Sequence, residues 1–398
     1  MSKVYSKALD QYLETDRIIG HLEGTQDGPC VVFFGGIHGN EPSGIFALNK
    51  VLSALKDQNV PINGDIYAIT GNLWALERSE RFQVTDLNRL WTREQLASME
   101  KDTFVPTNED EKQQIAIHQL VHQILADKTG PFYFFDLHTT SGKTTPFMTV
   151  NDSLLNRKFA KQYPAPIILG IEEYLDGPLL SYLNELGYVS FGFESGQHDD
   201  LSSIENHVAF TYLSLAFSEA VQKEDIPFEQ SFQSMRHETG NFYEIYYRHE
   251  VSNGQHFAME PGFVNFQRIK RGQLLAHAER KPIHAPEDTE IFMPLYQKKG
   301  EDGFFFIRKI PGFFMKASEL LRKWRFDKLL TVLPGIRRSQ SHADTLVVNL
   351  QVARLLAKPI LHLLGFLSKQ KSAHELIIRN REVNAKTKEY TEAHWYKS

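Results

Sequence analysis

Apolar runs alternate with amphipathic helical patterns along the first 225 residues. The runs are short and bounded by glycine, proline or polar residues, which is typical of buried strands. The predicted strands are Cys30–Phe34, Asp65–Thr70, Phe132–Leu137, Pro166–Leu169 and Tyr188–Glu194. The predicted helices are Ser43–Leu55, Glu111–Ala126, Leu154–Gln162, Leu179–Leu186 and Leu201–Gln222. This alternation indicates crossover connections, so we expect an α/β domain over residues 1–225 whose mostly parallel sheet carries helices on both faces.

The pattern changes in the second half of the chain. Short runs rich in aromatic and β-branched residues, separated by turn residues, predict a small β-rich domain over residues 233–310. From residue 311 onwards, apolar and basic positions recur at helical spacing, which predicts a basic helical C-terminal extension over residues 311–398. The apolar run Leu346–Leu367 is interrupted by polar and charged residues. We therefore expect a packed or surface-lying amphipathic helix there rather than a membrane span.

The net charge of −5 is unevenly distributed. Between Arg308 and Lys371, thirteen Lys and Arg stand against three Asp and Glu, so the acidic excess lies in residues 1–307. This asymmetry predicts an anionic or protein partner for the basic tail, or docking of the tail on the acidic body. No nucleic-acid partner is expected. The single cysteine, Cys30, excludes an internal disulfide framework, and no apolar leader follows Met1, so we expect a cytoplasmic protein.

A histidine and a carboxylate follow the first of the predicted strands. His38 and Glu41 lie between a pair of glycines and the helix that begins near Ser43. Because ligand sites in open α/β sheets form at the carboxyl ends of strands, these two side chains can converge on one cation. Imidazole nitrogen and carboxylate oxygen are donors that suit zinc. As an isolated pair, however, they could equally be surface residues of a turn.

Two further strands end in residues of the same kind. Phe132–Leu137 leads into His138, which alone would be interpreted as a structural histidine but, together with His38 and Glu41, favours a three-ligand metal site. Asp136 lies on the same face of that strand and can orient a ligating histidine. Glu194 ends the last predicted strand and has the chemistry of a general base for a zinc-bound water, although a solvated turn carboxylate has the same sequence pattern.

The arrangement of these motifs resembles the succinylglutamate desuccinylase/aspartoacylase family, a branch of the zinc carboxypeptidase-like amidohydrolases. The resemblance covers residues from about 28 to 310. The motifs that carry it, in chain order, are Gly35-Gly36-Ile37-His38-Gly39-Asn40-Glu41-Pro42, Arg81, Asp86-Leu87-Asn88-Arg89, Asp136-Leu137-His138 and Glu194. It implies a zinc-dependent hydrolase, or deacylase, that cleaves the amide bond of an N-acyl amino acid or a similar small carboxylate.

The resemblance also implies a role for each matching residue. One zinc ion per chain would be held by His38, Glu41 and His138. Glu194 would act as general base and then as acid, and Arg81 would polarise the scissile carbonyl and stabilise the oxyanion. The residues implied to bind the substrate are Asn88, Arg89 and, from the second domain, Tyr296.

The chain departs from the family pattern at two positions. Asn184 stands where aspartoacylases carry a substrate-binding arginine, and Thr139 stands where they follow the second histidine with asparagine. Both departures concern the substrate rather than the metal. Two other functions remain open: a carboxypeptidase that acts on short peptides, and a peripheral adaptor that acts through the basic helical tail.

Overall fold

The first 234 residues alternate strands with helices. A computed structural model describes residues 1–101, 103–236, 241–252, 254, 256–339, 345–353, 358–370, 372 and 374–397. The strands of the first part are β1 (Ser2–Ser6), β2 (Gln11–Thr15), β3 (Ile18–Glu23), β4 (Gln26–Gly35), β5 (Asn63–Thr70), β6 (Phe132–Thr140), β7 (Phe147–Val150), β8 (Ile167–Leu169) and β9 (Val189–Gln197). The helices are α1 (Ser43–Asp57), α2 (Leu73–Arg78), α3 (Arg93–Met99), α4 (Glu109–Asp127), α5 (Leu154–Ala160), α6 (Leu179–Glu185), α7 (Leu201–Phe217) and α8 (Phe228–Ser234). All five predicted strands and all five predicted helices are confirmed, with ends that shift by five residues or fewer.

The next segment, residues 241–309, is built from strands, as predicted. These are β10 (Phe242–Glu250), β11 (Phe257–Met259), β12 (Gln267–Ile269), β13 (Leu274–Ala278), β14 (Lys281–His284), β15 (Thr289–Phe292) and β16 (Asp302–Lys309). Four of them, β10, β12, β15 and β16, continue the sheet of the first part, whereas β11, β13 and β14 form a separate three-stranded sheet. The β-rich segment therefore shares its backbone hydrogen bonding with the body of the protein.

The central sheet has eleven strands in the order β3, β5, β4, β6, β9, β7, β8, β10, β16, β15 and β12. Strands β5, β4, β6 and β9 are parallel, and so are β7, β8 and β10, but β7 is antiparallel to β9. The remaining pairings, at both ends of the sheet, are also antiparallel. Within residues 1–225, four of the six pairings in this sheet are parallel, as expected. The sheet as a whole is mixed, because the late strands β16, β15 and β12 extend it with antiparallel pairings.

Helices cover both faces of the sheet, as predicted. Along β4, Val31 and Phe33 pack in one buried apolar cluster with residues of α1, α5 and α7. The alternating Val32 and Phe34 pack in a second cluster with residues of α4 and α6. Since side chains of a strand point alternately to opposite faces, this continuous apolar run is what a strand buried on both sides requires.

The C-terminal extension contains a sheet, which the sequence analysis did not predict. Its helices are α9 (Gly312–Lys323), α10 (Lys358–Leu363) and α11 (His394–Lys397), and its strands are β17 (Ile336–Arg338), β18 (Thr345–Asn349), β19 (Phe366–Gln370) and β20 (Glu375–Asn380). The prediction of a helix over 346–367 was wrong at both ends of that range, where strands β18 and β19 pair with β20. Residues 354–357, in the middle of the range, lie outside the described residues. Val347 and Val348 are strand formers, and Pro359 disfavours one continuous helix. Among the described helices, none has the length and apolar character needed to cross a membrane.

The extension docks on the acidic body, which is one of the two outcomes that its charge predicted. Four of its cationic side chains form ion pairs with carboxylates of the body. The pairs are Arg322 with Asp152, Lys369 with Asp176, Arg379 with Glu185, and Arg381 with Glu172 and Glu173. In addition, the indole of Trp395 donates a hydrogen bond to the buried Tyr133 hydroxyl at 2.9 Å.

Candidate metal centre

The loop between β4 and α1 carries His38 and Glu41. At Gly36, directly after β4, φ is 69°, a left-handed conformation that favours glycine. At Gly39, a Cβ atom would lie 2.1 Å from the carbonyl carbon of Ala75, so the loop packs closely against α2. These two glycines allow a chain path that turns His38 and Glu41 inwards, where both are buried.

His138 lies at the end of β6, directly beside β4. The two strands are parallel neighbours, so their carboxyl ends meet at the same edge of the sheet. The Nδ1 atom of His38 is 2.9 Å from Glu41 Oε1, and the Nδ1 atom of His138 is 3.1 Å from Glu41 Oε2. One donor atom from each of the three residues lies within 4.8 Å of the other two, and all three side chains are buried. This group can hold a metal ion.

A carboxylate faces the outer nitrogen of each histidine. His38 Nε2 lies 2.9 Å from Asp86 Oδ1, and His138 Nε2 lies 2.7 Å from Asp136 Oδ2. Such carboxylate–histidine pairs fix the orientation and tautomer of metal-ligating imidazoles. Here they leave Nδ1 of both rings directed at Glu41. Asp136 lies where its place in the motif predicted, whereas the position of Asp86 beside His38 was not foreseen.

Carboxylates outnumber guanidiniums in this cluster. Glu41, Asp86 and Asp136 are buried or nearly so, and Arg81 is the guanidinium that contacts two of them. Burial opposes the charged form of Glu41, but His38 and His138 hold its pKa well below the ordinary value. Burial likewise opposes the charged form of His138, but Asp136 and Glu41 raise its pKa well above the ordinary value. An anionic pocket with two imidazoles and a carboxylate as inner donors fits a divalent ion of the zinc type.

Glu194 lies beside the three candidate ligands. It is in register with His138 across the parallel strands β6 and β9. Burial raises the pKa of Glu194 to about 7, and its Oε2 atom has no hydrogen-bond partner among the described residues. A carboxyl group that titrates near neutrality can both accept and return a proton, so its environment suits general acid–base chemistry.

The loop after α2 brings Arg81 into the same cluster. Arg81 donates hydrogen bonds to Glu41 Oε1 at 3.1 Å and to Asp86 Oδ2 at 3.2 Å. Its Nε atom is buried and has no partner among the described residues. Buried Asp110, in the first turn of α4, holds the loop by accepting hydrogen bonds from the backbone N–H groups of residues 83, 84 and 85. The guanidinium is thus fixed at the rim of the candidate metal centre.

Asn88 and Arg89 line one cavity together with the candidate ligands and Glu194. The side chain of Asn88 accepts a hydrogen bond from the backbone N–H of Leu179 at 2.9 Å. Arg89 donates to Asp302 on β16 at 3.1 Å. The late strands of the sheet therefore supply part of the wall of this cavity.

Tyr296 is not among the residues that line this cavity. Its hydroxyl donates to the carbonyl of Glu260 at 2.7 Å and accepts from the backbone N–H of Phe263 at 2.9 Å. The neighbouring Gln297 lines the cavity. The substrate role expected for Tyr296 stays a prediction.

Comparison with known proteins finds a family that matches part of the chain. Residues 27–206 match the model of the succinylglutamate desuccinylase/aspartoacylase catalytic domain. Over these residues the chain is similar to that catalytic domain. The chain is 37% identical over 75 residues to succinylglutamate desuccinylase from Yersinia enterocolitica, covering 18% of this chain and 23% of that protein. It is 28% identical over 110 residues to the enzyme of the same name from Serratia proteamaculans, covering 28% and 32%. The matched part thus spans a third or less of these curated relatives.

Solved structures show the desuccinylase fold over a longer stretch. Succinylglutamate desuccinylase from Vibrio cholerae superposes with a TM-score of 0.52 at 17% identity, covering 77% of this chain and 90% of that chain. The product-bound ectoine utilization protein EutE from Ruegeria pomeroyi superposes with a TM-score of 0.52 at 16% identity, covering 73% and 88%. At such identities the likeness is one of fold.

The two departures from the family pattern have distinct surroundings. The side-chain amide of Asn184 donates to Ser190 Oγ and to the carbonyl of Leu180, so this residue supports the start of β9 away from the cavity. Thr139 Oγ1 lies 2.7 Å from Nδ1 of His198, whose Nε2 lies 3.1 Å from Gln297 Oε1. Sequence reasoning assigned no role to His198 or Gln297. For His198, the sequence gives one indication of a position near the centre: it follows Glu194 by four residues.

Proposed function

We propose that this protein is a zinc-dependent amidohydrolase that removes the acyl group from an N-acyl amino acid or a similar small carboxylate, with a zinc-carboxypeptidase-like centre. The observation that carries the proposal is the convergence of two imidazoles and one carboxylate within 4.8 Å at the carboxyl ends of two adjacent parallel strands. The match of residues 27–206 to the catalytic-domain model of that family supports deacylation as the reaction class. The anionic charge of the pocket supports a divalent ion.

In this proposal three residues bind the metal and two carboxylates orient the ligating histidines. His38, Glu41 and His138 hold one zinc ion, and Asp86 and Asp136 orient the two imidazoles. When bound, zinc polarises the substrate carbonyl and makes water more acidic at neutral pH. Ligation by Nδ1 of both rings follows from the carboxylates at Nε2.

Glu194 moves the proton of the reaction. Its carboxylate takes a proton from the attacking water, and the resulting carboxylic acid returns that proton to the leaving amine nitrogen. A pKa near neutrality suits both steps, because neither protonation state is then strongly disfavoured. Burial at the edge of β9 keeps this group away from bulk water.

Arg81 and the loop that follows it bind the substrate. The guanidinium of Arg81 donates to the oxygen that becomes negative in the tetrahedral state, since its Nε–H has no partner among the described residues. Arg89 and Asn88 hold the carboxylate of the amino-acid part through charge-assisted and amide hydrogen bonds. Both line the same cavity as Glu194, so a small substrate can contact all four residues at once.

Metal analysis followed by a hydrolysis panel tests the proposal. We expect about one zinc per purified chain. We also expect hydrolysis of N-succinyl or N-acetyl amino acids, lost with chelator and restored by added zinc. Unblocked dipeptides form the second arm of the panel and should be poor substrates. Preferred cleavage of dipeptides would favour a carboxypeptidase, and a purified chain that binds no divalent metal would contradict the proposal.

A further inference from the structure

Helix α9 of the C-terminal extension turns its polar side towards the protein. The side chain of Arg322 is fully buried, donating to Asp152 Oδ2 at 2.8 Å and to Glu382 Oε1 at 3.1 Å. One turn earlier, Ser318 is also buried and donates to the carbonyl of Leu363 at 2.8 Å. These bonds fix the rotation of the helix about its axis, because any other rotation would leave a buried guanidinium without its carboxylates.

The opposite side of α9 presents an apolar stripe to solvent. Phe313, Ala317, Leu320 and Trp324 follow one another at intervals of four, three and four residues, so they share one face. Phe313 is 76% exposed, Leu320 47% and Trp324 64%. A surface helix ordinarily buries its apolar stripe and exposes its polar face. This helix does the reverse, and exposed apolar patches of this kind mark interaction sites.

Further aromatic side chains widen the stripe at both ends. Phe314 is 51% exposed and its ring lies 5.7 Å from that of Phe313. Phe326 is 36% exposed and its ring lies 6.1 Å from that of Trp324. Rings with an apolar body are favoured at the boundary between lipid and water, where Trp is especially common.

Basic side chains flank the stripe. Lys316 and Lys323 on α9 are exposed. Next to α9, Lys158 of α5 and Lys161, the residue after that helix, line a pocket together with Lys323. The carboxylate in that pocket, Glu319, is bonded to Lys323, and the neighbouring lysines lower its pKa. The surface beside the apolar stripe is therefore cationic, with lysines supplied by both the body and the extension.

We propose that the α9 surface (the stripe Phe313, Ala317, Leu320 and Trp324 with the flanking lysines) docks on an anionic lipid bilayer. Helices that lie in a membrane interface carry apolar residues on one face and Lys or Arg beside them. The lysines would face anionic headgroups, which attract basic residues near the surface. A second copy of the chain is disfavoured as the occupant, because the lysines beside each stripe would then face one another.

Vesicle co-sedimentation of the full chain tests the proposal. We expect binding to vesicles of phosphatidylcholine with phosphatidylserine and little binding to phosphatidylcholine alone. Phe313→Ala with Trp324→Ala should weaken binding by more than about tenfold. Lys316→Gln with Lys323→Gln should weaken it by ~25-fold, about fivefold for each lysine near the surface.

Matched variants separate the α9 surface from general effects of exposed residues. Tyr12→Ala with Val105→Ala removes two side chains of the body that are 65% and 74% exposed. Lys50→Gln with Lys56→Gln removes two exposed lysines from α1. Both double variants should bind like the wild type, and far-UV circular dichroism of every variant should be unchanged.

Three results would overturn the proposal. The wild type could fail to bind either vesicle, or bind both equally. The stripe variant could bind as well as the wild type. Finally, the wild type could form a dimer in sedimentation velocity that the stripe variant abolishes, with no vesicle binding, which would assign the surface to a second copy of the chain.

Discussion

Two buried clusters of charged side chains differ in how their charges are satisfied. The metal-centre cluster holds three carboxylates against the guanidinium of Arg81, with two imidazoles between them. The junction cluster joins the body to the extension with nearly equal numbers of carboxylates and guanidiniums. Its members are Asp152, Arg157, Glu172, Glu173, Arg322, Arg381 and Glu382.

The difference shows which cluster needs a ligand. In the junction cluster, every carboxylate contacts an arginine, and these ion pairs hold two parts of the chain together. In the metal-centre cluster, every carboxylate contacts a histidine, and Asp136 contacts no arginine in the ion pairs of the described residues. Both clusters are buried. The kind of partner, and not the burial, distinguishes a candidate metal site from a structural ion network, because imidazoles can bind a metal and guanidiniums cannot.

Replacement of Glu194 should have the largest effect. Glu194→Gln keeps the shape of the side chain but removes the proton acceptor, so kcat/KM should fall by ~10²–10⁴. The zinc content should stay unchanged, because Glu194 is not among the three candidate ligands. Glu382→Gln in the junction cluster is the matched control and should retain activity. Full hydrolysis by zinc-loaded Glu194→Gln would refute the assignment of the base.

Replacement of Arg322 should have a comparable effect, but on stability. Arg322→Leu leaves Asp152 and Glu382 buried without this guanidinium, which should lower the free energy of unfolding by ~3–5 kcal/mol. Urea unfolding measures the change. Arg337→Leu is the control: its pair with Glu375 is 62% exposed on the arginine side, and exposed pairs contribute about 0–1 kcal/mol. Equal effects of the two substitutions would mean that the junction cluster does not hold the extension.

Replacement of Arg81 tests the one guanidinium of the metal-centre cluster. Arg81→Ala should lower kcat by ~10²–10³, the effect of losing one donor to an oxyanion, with a smaller change in KM. Steady-state kinetics on the best substrate of the panel gives both constants. If KM alone increased, Arg81 would bind the substrate in its ground state rather than stabilise the oxyanion.

Much of the metal centre could be predicted from the sequence because it depends on local patterns at strand ends. The runs Cys30–Phe34 before His38 and Phe132–Phe135 before His138 are apolar, which is typical of strands in the middle of a sheet, and the two strands are neighbours. Because the two strands are parallel, their carboxyl ends lie at the same edge of the sheet, which brings His38 and His138 together. The same argument placed Glu194, since β9 is the next strand.

The remaining features depend on contacts between distant residues. The direction of β7 is set by its pairing with β8 and β9, and its four residues carry no signal of direction. Asp86 and His38 are 48 residues apart. Arg322 and Asp152 are 170 residues apart, and nothing near Arg322 distinguishes it from the exposed lysines of the same helix. Tyr296 was expected in the cavity, but its neighbour Gln297 is the residue of that loop that lines it.

Replacement of Asp136 should have a smaller effect, on metal affinity. Asp136→Asn weakens the acceptor that orients His138, so the affinity for zinc should fall by ~10–100-fold. Competition with a chromogenic chelator measures the affinity. Asp152→Asn alters a carboxylate of the junction cluster in the same way and should leave zinc affinity unchanged. A change in both variants would mean that the two clusters are coupled.

The pH dependence of stability should show the smallest effect. Burial opposes the charged form of Asp152, but Arg157 and Arg322 lower its pKa well below the ordinary value. A carboxyl group with a lowered pKa stabilises the folded state above its unfolded pKa of about 3.9, and this contribution is lost as the pH falls towards the folded pKa.

The difference in unfolding free energy between the wild type and Asp152→Asn should therefore be constant from pH 7 to about pH 5 and shrink below about pH 4, by at most ~1.4 kcal/mol per pH unit. Glu172 and Glu382 contribute with the opposite sign, because burial raises their pKa values, and the comparison removes the part of their contribution that does not depend on Asp152. Urea unfolding at half-unit intervals measures the profile. A difference that grew as the pH fell would mean that Asp152 is protonated more readily in the folded state, and its two arginines would then not stabilise its charge as the ion pairs of the junction cluster require.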